Sequence, residues 1–76
     1  MRILLAEDEK DLSKALVAVL KHNKYSVDAV YDGQDALDWG MDENYDAIIL
    51  DLMMPKLNGL DVLKRLRENG IDTPVK

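Results

Sequence analysis

Tyr45-Asp46-Ala47-Ile48-Ile49-Leu50-Asp51-Leu52-Met53-Met54-Pro55 joins a short apolar run to a carboxylate and then to a turn. Ala47 to Leu50, fenced by Asp46 and Asp51, reads as a strand buried on both faces, the habit of a central parallel strand. Asp51 then stands at the strand's C-terminal end. In open α/β sheets that edge is where ligands bind.

Outward from this stretch, Arg2-Ile3-Leu4-Leu5-Ala6 is a second apolar run ending in acids, Glu7-Asp8-Glu9. From Lys10 to Lys21 the residues Leu12, Ala15, Leu16, Val19 and Leu20 recur at helical spacing, with Ser13, Lys14 and Lys21 on the other side. Tyr25 to Val30 alternates, placing Ser26 and Asp28 on a wet face as in an edge strand. Asp32-Gly33 is a turn, and a helix over Gln34 to Met41 turns Ala36, Leu37 and Met41 inward, with Gly40 weakening its end. After Pro55, Asn58 is a candidate helix cap, and Leu60, Leu63 and Leu66 form the expected inner stripe beneath outward Lys64, Arg65 and Arg67. Asn69-Gly70 closes that helix, and Ile71 to Lys76 leads toward a further strand.

The order strand-helix-strand-helix-strand-helix predicts an α/β fold with a parallel sheet. The strands run either 1-2-3 or 2-1-3. The half-polar strand belongs at an edge and the two apolar ones inside, which favours 2-1-3. That order brings Glu7, Asp8 and Asp51 to one crevice. Seventy-six residues with net charge −5 make a single small domain, since about 60% of the unfolded surface is buried at this size. The acidic balance argues against a nucleic-acid surface and favours cationic partners. No cysteine is present, so disulfides and Cys-based zinc sites are excluded, and the composition is compatible with the cytoplasm. No apolar run approaches the length of a membrane span.

Singly, each acid reads as a cap or a solvated turn residue. Converging at two strand ends, they repel one another unless a cation or a proton relieves them. With only oxygen ligands on offer, the ion implied is Mg²⁺, Mn²⁺ or Ca²⁺. A carboxylate beside such an ion can attack phosphorus to give an acyl phosphate.

Ile3-Leu4-Leu5-Ala6-Glu7-Asp8-Glu9, then Tyr31-Asp32-Gly33-Gln34-Asp35-Ala36-Leu37, then Asp51-Leu52-Met53-Met54-Pro55 with Gly59 and Leu60-Asp61-Val62-Leu63, resemble a two-component response-regulator receiver domain. The similarity is greatest to the subfamily of winged-helix transcription factors. The resemblance implies a flavodoxin-like three-layer fold. It makes Asp51 the phosphoacceptor for a sensor histidine kinase, and Asp8 a direct Mg²⁺ ligand. Glu7 would act through water, and the carbonyl of Met53 would complete the set, in a signalling module rather than an enzyme. Pro55 and Gly59 would shape the loop. A haloacid-dehalogenase-type phosphatase also uses a strand-end Asp, but it needs a second Asp where Met53 stands.

On the same resemblance, residues 1–76 are a truncated receiver domain of three strand-helix units and the start of strand four. The family places a Ser or Thr at the end of strand four and a Lys at the end of strand five. Thr73 lies before strand four and Lys76 near its start. Asp46–Leu50 is then expected to be a bare apolar edge, covered by self-association as a homodimer or a domain-swapped oligomer. The alternative function is accordingly that of a self-assembling half-domain.

Overall fold

The computed structural model describes residues 1–76. Its elements are β1 (Arg2–Ala6), α1 (Lys10–His22), β2 (Ser26–Val30), α2 (Gly33–Asp42), β3 (Ala47–Leu50) and α3 (Gly59–Glu68). The strands form one parallel sheet in the order β2-β1-β3, with Leu4 beside Asp28 and Ile48, and Ala6 beside Val30 and Leu50. Ile3 to Ala6 are all buried, which is why β1 takes the centre. Right-handed crossovers running in opposite directions across the sheet place α1 on one face and α2 on the other. α3 packs beside α2.

The main core lies under α2 and α3, where Leu4, Ala36, Ile48, Val62 and Leu66 are fully buried. α2 and α3 run parallel: Gly33 approaches Leu57 at one end, and Gly40 approaches Leu66 at the other. Gly40 therefore makes room for a neighbouring helix instead of merely weakening its own. Met41, expected inward, is exposed; the inner face of α2 is Gly33, Ala36, Leu37 and Gly40. In α3 the buried residues are Gly59, Val62 and Leu66. Leu60, 64% exposed, points away, so the every-third-residue leucine stripe is not the packing face.

α1 departs further from expectation. Its inner face is Ser13, Leu16, Val17 and Leu20, at helical spacing i, i+3, i+4, i+7, while Leu12 and Val19 are 43% and 59% exposed. Apolar positions span more of this helix than a single sheet face can cover. Ser13 is 1% exposed and its hydroxyl has no hydrogen-bond partner. Leaving such a group unpaired costs about 1–3 kcal/mol, and serine is also a weaker helix former than alanine. Ser13→Ala is therefore expected to raise stability by about 1 kcal/mol, measured as a shift in urea midpoint at unchanged slope.

β3 is also less enclosed than expected. Ile48 is fully buried, but Ala47, Ile49 and Leu50 are only partly so. Its outer edge is not bare. Ile48 N–H donates to Pro74 O at 2.9 Å, Lys76 N–H to Ile48 O at 2.9 Å, and Leu50 N–H to Lys76 O at 3.1 Å, with Val75 bridged in parallel to Ile48. The chain's own last residues pair with the outer edge of β3 through an isolated bridge, which removes the unpaired backbone that was to draw in a second copy.

The opposite end of the sheet is tied by polar contacts. Arg2 N–H donates to Asp46 Oδ2 at 2.7 Å. The Arg2 guanidinium pairs with Asp28 at 3.0 Å and lies 4.9 Å from the Tyr45 ring centroid. Tyr45 Oη donates to Asp28 Oδ2 at 2.7 Å; burial first, then this carboxylate, pushes the phenol well above its ordinary pKa. This end fixes the strands' start and leaves the other end for chemistry.

Candidate metal and phosphoacceptor site

Parallel strands deliver their C-terminal ends to one edge, and β1 and β3 each end in acid. The ladder continues one residue past each strand: Glu7 N–H donates to Val30 O at 3.1 Å and Asp51 N–H to Ala6 O at 3.0 Å. The backbones of both residues are thereby fixed by the sheet. Carboxylate oxygens of Glu7, Asp8 and Asp51 all lie within 4.8 Å of one another. Glu7 and Asp51 are partly buried, and Asp8 is exposed. None of the three forms an ion pair within the chain.

Each carboxylate is oriented locally. Glu7 Oε2 accepts from Glu9 N–H at 3.1 Å, and Asp51 Oδ1 accepts from Met53 N–H at 3.3 Å. The Glu7 carboxyl nonetheless stands above its ordinary pKa. The Glu9 hydrogen bond pulls it down, but partial burial and the neighbouring Asp51 and Asp8 outweigh it. A raised carboxyl pKa means that ionised Glu7 works against the metal-free fold. Its contribution to stability is present below the ordinary carboxylate value and is lost as pH rises through the raised one. Glu7→Gln is therefore expected to raise the thermal midpoint near neutral pH without divalent ions. The gain should shrink as the pH falls and Glu7 protonates, which thermal scans across a pH series would follow.

Mutual repulsion, an all-oxygen donor set and the absence of any internal cation fit a hard divalent ion. Met53 is 81% exposed on the turn after Asp51. Asp8, Leu52, Met53, Met54, Pro55 and Asn58 line an open cleft of ≈ 470 Å³ beside the acids. A smaller hollow of ≈ 160 Å³, at Asp38, Trp39, Asp42 and Glu43, shares no residue with this site. Thr73 only lends its carbonyl to Arg67, and Lys76 pairs through its backbone with β3.

Sequence reasoning brought Glu7, Asp8 and Asp51 together correctly. It missed the supports of the loop from Leu52 to Asn58. Lys56 adopts φ 70°, its ammonium lies 3.5 Å from Asp32, and Gly33 N–H donates to Pro55 O at 3.2 Å. Asp32-Gly33 showed only as a turn signal, because its partners come from a distant loop.

Residues 3–76 match the family model described as "Response regulator receiver domain". The chain belongs to this family. The receiver domain is 48% identical over 75 residues to the transcriptional regulatory protein DltR of Streptococcus agalactiae, covering 99% of this chain and 34% of DltR. It thus spans about a third of the length of that curated relative. Among solved structures it is similar to the Francisella response regulator 1452 receiver domain, with TM-score 0.94, 36% identity, and 97% and 61% of the two chains covered. It is also similar to response regulator TrrA from Thermotoga maritima in complex with Mg²⁺ and BeF, with TM-score 0.91, 34% identity, and 97% and 64% covered. TrrA is likewise known in complex with histidine kinase ThkA. The three-stranded parallel sheet flanked by helices is the flavodoxin-like fold of these receivers.

Proposed function

We propose that residues 1–76 form one receiver unit that accepts a phosphoryl group on Asp51 from a sensor histidine kinase. The ion is Mg²⁺, held by Asp8, Asp51 and the Met53 carbonyl, with Glu7 acting mainly through water. One observation carries this reading: the three carboxylates lie within 4.8 Å at the C-terminal edge of a parallel sheet. An Asp51 oxygen forms the new bond to phosphorus as the phosphorus–nitrogen bond of the phosphohistidine breaks, its electron pair returning to the imidazole. Asp51 Oδ1 is held by Met53 N–H, which leaves Oδ2 as the attacking atom. Glu7 and Asp8 hold the cation side of the site, and the cleft over Leu52 and Met53 admits the donor. Bound Mg²⁺ supplies charge neutralisation between carboxylate and phosphoryl oxygens.

The similar receiver TrrA, in complex with Mg²⁺ and BeF and in complex with a histidine kinase, supports both parts of this reading. The similar protein DltR is a transcriptional regulatory protein, which supports an output at transcription for this receiver. We assign the module to the cytoplasm, with no direct nucleic-acid contact. No helix is long and apolar enough to cross a membrane. The test is incubation with a small phosphoramidate and Mg²⁺, read by intact mass and hydroxylamine lability. One labile phosphoryl group is expected, and no uptake at all would refute the proposal.

Association of copies is the second reading, favoured now by the uncovered Leu12 and Val19 of α1 and not by the β3 edge. Sedimentation at monomer mass throughout a concentration series would exclude it.

A further inference from the structure

The junction between β2 and α2 carries no ligand of the proposed metal site, yet it touches both segments that do. Val30 O accepts Glu7 N–H at 3.1 Å, and Gly33 N–H donates to Pro55 O at 3.2 Å. Asp32 uses one carboxylate oxygen to cap α2 through Asp35 N–H at 2.8 Å, and the other faces Lys56 Nζ at 3.5 Å. Gly33 is buried, and a Cβ there would collide with the Leu57 carbonyl oxygen and lie 2.7 Å from Leu57 Cβ. The loop from Leu52 to Asn58 can lie this close to the head of α2 only because residue 33 has no side chain. Farther along, Gly59 N–H donates to Leu52 O at 2.9 Å, so the loop is held from both ends.

We propose that Gly33, assisted by Asp32, is a positioning residue for the acid cluster. It seats the Leu52–Asn58 loop on the head of α2 and so sets the position of the Met53 carbonyl relative to Glu7, Asp8 and Asp51, whose backbones at Glu7 and Asp51 the sheet already holds. This inference rests on the metal-site reading and extends it to residues that touch neither the ion nor the phosphoryl group. A glycine needed only for packing predicts lost stability alone; a positioning glycine predicts lost affinity as well.

The experiment titrates Mg²⁺ alone into the parent chain, Gly33→Ala, Gly40→Ala and Asp32→Asn, following backbone amide shifts at a temperature where all are folded. Gly33→Ala is expected to bind Mg²⁺ about 10- to 100-fold more weakly, as loss of supporting groups does at metal sites. The amides of Leu52–Asn58 should shift with it. Gly40→Ala is the control: its Cβ would lie 3.1 Å from Leu66 Cδ2 at the other end of the same helix, so it perturbs the α2–α3 packing away from the loop and should keep the parent affinity. Asparagine caps as well as aspartate, so Asp32→Asn isolates the pairing with Lys56 and is expected to weaken Mg²⁺ about two- to threefold. Equal affinity in folded Gly33→Ala and the parent, or equal loss in Gly40→Ala, overturns the inference and leaves the site reading standing. A parent that binds no Mg²⁺ overturns both. Should Gly33→Ala fail to fold, Asp32→Asn and Lys56→Gln carry the test, and parent affinity in both overturns the inference.

Discussion

Asp51→Asn is expected to leave the chain folded and to reduce phosphoryl uptake from a phosphoramidate by at least about 1,000-fold, the scale on which loss of a nucleophile falls. Asparagine matches aspartate in shape. Its amide oxygen can accept the Met53 N–H as Asp51 Oδ1 does, and the main-chain bond from residue 51 to Ala6 is untouched. What disappears is the attacking carboxylate and one of the charges that raise the Glu7 pKa. The metal-free variant should therefore be at least as stable as the parent. Intact mass reads the first effect and thermal unfolding the second. Undiminished, hydroxylamine-labile uptake by Asp51→Asn would place the phosphoacceptor elsewhere.

Leu66→Ala is expected to cost about 2–5 kcal/mol. Leu66 is fully buried, and its Cδ atoms fill the space left by Gly40 between α2 and α3. A domain of this size has a total stability of only about 4–11 kcal/mol. The substitution should thus remove a large share of the total and lower the urea midpoint in proportion. Leu60→Ala, at a residue 64% exposed on the same helix, is expected to change stability by no more than about 0.5 kcal/mol. Urea unfolding of the pair checks both values. Similar losses at the two positions would mean that Leu60 packs with Leu66, and that the regular leucine spacing, not the Gly59, Val62 and Leu66 face, is the packed one.

That contrast shows where the sequence was informative. Strand type and order were legible because an apolar run demands a central place and an alternating one tolerates an edge. Once β1 and β3 were neighbours, parallel polarity alone brought Glu7, Asp8 and Asp51 together. Helix faces were less legible. In α1 the apolar positions outnumber those a three-stranded sheet can cover, so nothing local says that Ser13 goes in while Leu12 and Val19 stay out. The β3 edge was misjudged because Pro74–Lys76, foreseen only as the approach to a further strand, is long enough to pair with Ile48 and Leu50 through three main-chain hydrogen bonds. Gly33 and Gly40 were read as local turn and helix breakers. Their need for glycine is set by Leu57 and Leu66, which arrive only with the tertiary fold.

The central claim is that the acids at the β1 and β3 ends form one Mg²⁺-dependent phosphoryl site. It is tested most directly by titrating beryllofluoride into the parent chain with and without Mg²⁺, following backbone amides. The expected result is saturable binding that requires Mg²⁺, with the largest shifts at Glu7, Asp8 and Asp51 through Asn58. Unsaturable shifts, or shifts spread equally over exposed acids such as Asp35, Asp38 and Asp42 on α2, would contradict it.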